Sequence, residues 1–237
     1  MDYMKDVLDK YFDLAIVDPP YGIGISNVEN IGYGDAIDYR NGKKMNCKRN
    51  KWKIKEWDNH KPSIEYFNEL QRISKNQIIW GINYFTGYLN FPSSGRLIWE
   101  KSPDLHQYYE IAGLTQIKNI ILFRYYWNGV LQGKSASEGH LRQGDYKLYE
   151  KRIHPTQKPV ILHKWLLKNY AEPKFKIIDT HLGSGSSAIA AHDFGIADFV
   201  GCEIDKDYFD ASVKRIQNHV KQLDMFQKRP EIIINEI

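Results

Sequence analysis

The stretch Phe12-Asp13-Leu14-Ala15-Ile16-Val17-Asp18-Pro19-Pro20-Tyr21-Gly22 constrains the fold of this chain more than any other. Leu14 to Val17 is a short apolar run rich in β-branched residues, which reads as a buried strand. It stops at Asp18, where two prolines forbid both a sheet ladder and entry into a helix. An acid is thereby held at the C-terminal edge of a strand, with stiff backbone behind it and an aromatic ring beside it. Ligands of open parallel α/β sheets sit at that edge. Taken alone, the same residues suit a strand, a proline turn and a packed tyrosine equally well.

The rest of the chain supplies the context. Met4, Val7, Leu8 and Tyr11 are spaced for a short amphipathic helix before the Asp18 strand. Periodicity is then lost over 22–57, where Arg40, Lys43, Lys44, Lys48, Arg49, Lys51, Lys53 and Lys55 form a basic run with Trp52 and Trp57 interleaved. Such a run reads as a solvated mobile loop, and beside a strand-edge site it also suits a phosphate backbone. Pro62 opens a helix with Ile64, Phe67, Leu70 and Ile73 inward. Strands are predicted over 77–81, 96–100 and 119–125, with a short helix over 85–89 between the first two. Residues 126–153 turn polar and irregular again, with Lys134, Arg142, Lys147, Lys151 and Arg152 among glycines and tyrosines. Pro159 starts a helix carrying Ile161, Leu162, Trp165 and Leu166, followed by a strand over 175–179. A glycine-rich turn leads into a small-residue helix, then come a strand over 199–204 and a helix with Phe209, Val213, Ile216, Val220 and Leu223 on one face. Strands alternating with helices imply a mainly parallel sheet with covered faces.

At 237 residues, 42% hydrophobic and 26% charged, the chain has the size and composition of one soluble domain with an insertion. No apolar run is long enough to span a bilayer. Cys47 and Cys202 are the only cysteines, which argues for a cytoplasmic chain with neither a disulfide framework nor a zinc site. The histidines, His106 and His140 among them, lack metal-ligand spacing.

Gly183 and Gly185, between a strand and a helix, let the backbone approach a nucleotide-like ligand. The third glycine of a dinucleotide fingerprint is missing, which disfavours a nicotinamide oxidoreductase. Glu203, at the end of the next strand, is placed to accept from both ribose hydroxyls, so an adenosine-bearing ligand is indicated without a pyrophosphate.

Four segments together carry a specific resemblance: Asp18-Pro19-Pro20-Tyr21, His154-Pro155-Thr156-Gln157-Lys158-Pro159, Asp179 with Leu182-Gly183-Ser184-Gly185, and Glu203-Ile204-Asp205. In that order the chain resembles the β group of S-adenosylmethionine-dependent DNA amino-methyltransferases, most closely the adenine-N6 members with an Asp-Pro-Pro-Tyr motif. It departs from the commoner glycine motif in having Thr180-His181 for Pro-Phe and Ser186 for Thr. The resemblance implies a Rossmann-like α/β fold with a mainly parallel central sheet and permuted motif order. It implies a single methyltransferase domain over 1–237, with a basic loop at 22–57 and a target-recognition region at 126–153.

By the same resemblance Asp18, Pro19, Pro20 and Tyr21 would be catalytic. Asp179, Gly183, Gly185, Ser186, Glu203, Thr156, Lys158 and Asp2 would bind S-adenosylmethionine. Lys43, Lys44, Lys48, Arg49, Lys51, Lys53, Lys134 and Arg142 would meet double-stranded DNA, whose target base flips out onto Tyr21. A homodimer is compatible with this, and a partner restriction nuclease is not indicated either way. Family members carry a strand upstream of the first helix; here Ile232-Ile233-Ile234 is expected to fill that sheet position beside the Glu203 strand. Alternatives with the same chemistry are cytosine N4, an RNA adenine or a protein amide. An alternative of another class is an inactive nucleic-acid-binding protein on this fold. Cytosine-C5 chemistry is disfavoured, because neither cysteine follows a proline.

Overall fold

The computed structural model describes residues 2–29, 36–37, 44–45, 51–101, 109–127, 132–133 and 149–223, the side chains of 36–37, 44–45 and 222–223 excepted. Its strands are β1 (Phe12–Val17), β2 (Ala36–Ile37), β3 (Lys44–Met45), β4 (Ser74–Trp80), β5 (Arg96–Glu100), β6 (Tyr109–Leu114), β7 (Ile120–Arg124), β8 (Tyr126–Trp127), β9 (Gln132–Gly133), β10 (Lys176–Asp179) and β11 (Asp198–Gly201). The helices are α1 (Asp2–Lys5), α2 (Ile64–Ile73), α3 (Val160–Tyr170), α4 (Ser186–Phe194) and α5 (Lys206–Leu223). Seven strands make one sheet in the order β11-β10-β1-β4-β6-β5-β7, while β2 pairs with β3 and β8 with β9. Neighbours from β11 through β4 are parallel, β6 runs antiparallel to both β4 and β5, and β5 is parallel to β7.

The sheet is apolar on both faces, as parallel strands require when helices cover them. Leu14, Ile16, Ile78 and Trp80 pack with Leu162 and Leu166 of α3 and Ala190 of α4. Ala15, Val17 and Ile79 join Phe67, Leu70 and Ile73 of α2 in a second core. Period-two alternation thus sends successive residues of β1 into different cores.

Four elements differ from expectation. The first helix ends at Lys5, not near Tyr11, and Leu8 is 74% exposed. The reason is Arg72, whose guanidinium donates to the carbonyls of Met4 and Val7, both at 2.8 Å, and so captures acceptors that a longer helix would use. The expected helix over 85–89 is a single turn, preceded by a 3₁₀ turn at Ile82–Tyr84. Strand β6 was not expected: Glu110, Ala112 and Gly113 break the apolar run that would announce it. The strand before Glu203 stops at Gly201, leaving Glu203 in loop and Ile204 96% exposed. The tail expected to pair beside it lies outside the described residues.

Candidate active site

Topology delivers the site to one sheet edge. β1, β10 and β11 run parallel, so Asp18, Asp179 and the loop carrying Glu203 follow their C-terminal ends. β4 ends beside them at Gly81. Because β6 is reversed, its start comes to the same edge, and Glu110 pairs with Trp99 of β5, two residues before Lys101. A cavity of about 600 Å³ opens there, lined among others by Asp18, Tyr21, Tyr84, Trp99, Glu110 and Lys158.

Asp18 is held at both oxygens. Tyr21 donates its hydroxyl to Oδ1 at 2.6 Å, and the Lys158 ammonium donates to Oδ2. Burial, together with the Asp18 carboxylate, pushes the Tyr21 phenol far up, so its proton stays on. The Tyr21 ring stacks on Tyr84, with centroids 4.6 Å apart, and lies close against Gly81. A Cβ at Gly81 would come within 2.1 Å of that ring, and the residue has φ +66°, so only glycine fits. Behind the motif, Asp58, 1% exposed, accepts the backbone N–H groups of Tyr21, Gly22 and Ile25 at 2.7, 3.0 and 2.9 Å. Three donors converging on one carboxylate fix the turn after the two prolines.

The glycine turn forms a second group. Asp179 is buried and accepts from the Ser187 hydroxyl at 2.5 Å and the His181 N–H at 3.0 Å, with no ion pair among the described residues. Burial outweighs those hydrogen bonds and, with the nearby charges of Asp18 and Glu203, lifts its carboxyl to about 7. Glu203 accepts the N–H groups of Gly183 at 2.8 Å and Asp205 at 2.9 Å. Gly185 has φ +73° and sits against Ile216 and Ser212 of α5, closing the turn onto that helix. A buried acid lacking a cation, beside a glycine turn that carries a second acid, fits a ligand with an ammonium group and a hydroxylated sugar.

Several expected site residues stand elsewhere. Lys158 lies with Asp18, not with the glycine turn. The Ser186 hydroxyl is buried against Ser184 and Arg215, both at 3.0 Å. The Asp2 carboxylate is exposed and pairs with Lys5 at 2.8 Å. Thr156 lines the cavity, its hydroxyl 3.2 Å from His154 Nδ1. In the basic run, Lys55 is no free cation. It binds Asp205 at 2.6 Å and Asp207 at 2.9 Å and lies over the Tyr208 ring. Lys53 pairs with Asp207 at 3.1 Å and Lys51 with Glu29 at 3.9 Å, all four side chains more than half exposed. Lys43, Lys48, Arg49, Lys134 and Arg142 lie outside the described residues, and only the backbone of Lys44 is described.

Sequence reasoning missed Glu110, Lys101, Asp58, Tyr84 and the half-buried pair Glu150–Arg215. Glu150 also takes hydrogen bonds from Gln157 at 2.8 Å and from the Val160 N–H at 3.0 Å. None of these belongs to a recognisable spacing; they meet through the fold.

Among solved structures, the M1.HpyAVI–SAM complex is 19% identical, covering 90% of this chain and 92% of its own, with a TM-score of 0.50. TTHA0409 from Thermus thermophilus, complexed with S-adenosyl-L-methionine, is 13% identical, covering 98% and 96%, also with a TM-score of 0.50. At such identities the likeness speaks for the fold, a Rossmann-like α/β sheet with a mainly parallel centre. The DNA methylase family model, which joins N6 and N4 methyltransferases, matches residues 79–214. That is more than half of the chain and includes Glu110, Lys158 and the glycine turn; the chain belongs to the DNA methylase family.

Proposed function

We propose that the protein transfers a methyl group from S-adenosylmethionine to the N6 amino group of adenine in double-stranded DNA. The observation that carries this reading is the Asp18 carboxylate, stiffened by two prolines and facing a cavity walled by Tyr21 and Tyr84. An exocyclic amine is a poor nucleophile because its lone pair is delocalised into the ring. Asp18 and the Pro19 carbonyl each accept one N–H, drawing the nitrogen toward tetrahedral geometry and directing its lone pair outward. These acceptors act by being in place before the base arrives. The base leaves the duplex stack, and Tyr21 offers it a flat face. S-adenosylmethionine supplies an electrophilic methyl on a sulfonium. Asp179 and Glu203 are the residues suited to its ammonium and ribose. An aspartate at the first motif position favours adenine over cytosine, in line with the resemblance. Labelled methyl transfer into unmethylated duplex DNA, followed by nucleoside analysis, decides the matter: N6-methyladenine is expected, and N4-methylcytosine would reassign the base.

The state of Asp179 sets a pH dependence. An ammonium ligand binds the ionised carboxylate, whose pKa in the free protein is about 7. Affinity for S-adenosylmethionine is therefore full above that pH and falls below it, by up to about tenfold per unit. Asp179→Asn should bind more weakly and lose this dependence. Calorimetric titration between pH 5.5 and 8.5 measures both, and a flat wild-type profile would detach Asp179 from the ammonium.

For the DNA contact we take the basic run together with Lys134 and Arg142. The exposed pairs of Lys51 and Lys53 are worth little in water and exchange readily for phosphate. Replacing Lys48, Arg49, Lys51 and Lys53 by Ala should weaken DNA binding and reduce the log–log salt slope by roughly 0.9 for each phosphate no longer neutralised. Cofactor affinity should stay the same. An unchanged slope would return the run to a solvated loop.

A further inference from the structure

The ammonium of Lys158, buried at the site, lies between two carboxylates. It donates to Asp18 Oδ2 and, at 3.5 Å, to the Tyr21 hydroxyl oxygen. On the other side Glu110 Oε2 stands 3.0 Å away, buried, off the angle of a hydrogen bond and without another partner among the described residues. Glu110 Oε1 is held separately by Lys101. Burial pushes the Glu110 carboxyl up, but the charges of Lys101 and Lys158 win and hold it well below the usual carboxylate range. It is thus a charged acceptor with one oxygen in reserve, a short swing from the ammonium on Asp18. The rings of Trp80, in the core beneath, and of Tyr21, in the cavity wall, have their centroids 5.1 and 5.9 Å from the ammonium.

This arrangement bears on the chemistry of amino-group attack. As the carbon–nitrogen bond forms and the methyl's carbon–sulfur bond breaks to leave a neutral thioether, the attacking nitrogen becomes positive until it loses a proton to solvent, and a nearby negative charge stabilises that change. An Asp18 neutralised by Lys158 does this poorly, and the ammonium itself repels the growing charge. Both Asp18 oxygens are engaged in the present state, one by Tyr21 and one by Lys158. We propose that Glu110 is a positioning residue that draws Lys158 off Asp18 when the target amino group enters, so that Asp18 meets the nitrogen unneutralised. The proposal rests on the reading of Asp18 as the amino-group acceptor. A purely structural Glu110 would only balance Lys101 and Lys158, and buried pairs of that kind are often replaceable by apolar residues without loss.

The test is a double-mutant cycle on single-turnover methyl transfer, with the dissociation constants of DNA and S-adenosylmethionine measured in parallel. Glu110→Gln in the wild-type background leaves Lys158 locked on Asp18. It should slow transfer on the order of 10²-fold, the size of one lost preorganised electrostatic partner, while both dissociation constants stay within about threefold. In a Lys158→Met background there is no ammonium to draw away, and Glu110→Gln should change the rate by less than about threefold. Glu110→Asp, which keeps the charge, should recover part of the loss. Melting temperatures check folding, and Lys158→Gln replaces Lys158→Met if the latter does not fold. Equal penalties for Glu110→Gln in both backgrounds, or a change confined to binding, would overturn the proposal while leaving the reading of Asp18 intact. A wild-type protein that binds S-adenosylmethionine but methylates no DNA would overturn both.

Discussion

Asp18→Ala should leave S-adenosylmethionine affinity within a few-fold of wild type and slow methyl transfer to DNA on the order of 10³-fold or more. The asymmetry follows from where the carboxylate acts. On the proposed mechanism Asp18 meets the nitrogen as it pyramidalises, so its contribution would be realised in the transition state and be nearly absent from cofactor binding. Two secondary effects push the same way. Removing the carboxylate takes away the acceptor of the Tyr21 hydroxyl and leaves Glu110 as the one carboxylate beside the buried Lys158 ammonium, so the ring proposed to receive the base loses its tether. Asp18→Asn separates these contributions, because it keeps an acceptor for Tyr21 and removes the charge. Glu203→Ala is the control, weakening cofactor binding most. Near-normal turnover of Asp18→Ala in a single-turnover assay would remove Asp18 from the mechanism.

Gly81→Ala should be nearly as damaging by an entirely different route. Its Cβ would stand 2.1 Å from the Tyr21 ring, an impossible contact, and alanine at φ +66° carries strain of its own. Left-handed backbone costs about 1–2 kcal/mol for a residue with a Cβ, and forced overpacking about 1–3 kcal/mol more. Tyr21 has little room to yield, being stacked on Tyr84 and edge-on to Phe85 at 6.2 Å. The substitution should therefore lower the melting temperature and abolish turnover, with cofactor affinity changed far less. A variant of unchanged stability and activity would show that the ring adopts another position in the working enzyme.

Legibility in the sequence tracked how local each feature's cause is. Leu14 to Val17, the strand at Arg96 and the turn at Gly183 rest on local runs and spacing, and each appears where expected. The residues that surround Asp18 are another matter. Glu110 arrives because a strand too polar and too small in its side chains to be noticed is inserted antiparallel between β4 and β5. Asp58 follows a tryptophan in a stretch without period, and only its three N–H partners reveal it. Lys158 was legible as part of a motif but not as a partner of Asp18, since a short string does not say which carboxylate it will reach. The early stop of α1 at Lys5 is likewise the work of Arg72, far along the chain. Long-range pairing decided these cases, and no window of a dozen residues contains it.

The carboxylate of Asp58 has a consequence for how the basic segment can be altered. Lys55 and Asp58 tie the end of this insertion to the start of α5 and to the turn after Tyr21. Peeling away 55–58 would take the shared acceptor from three half-buried amide donors, at up to about 1 kcal/mol each, and would loosen the turn that carries the aromatic wall. The insertion therefore has two regimes for engineering and for evolution. From Lys55 onward it pins the turn after Tyr21, where a deletion or a slip of one residue would pull Asp58 off its three N–H partners. Changes of length or composition to this loop belong upstream of that pin, where the proposed contact with DNA could be retuned without moving Asp18.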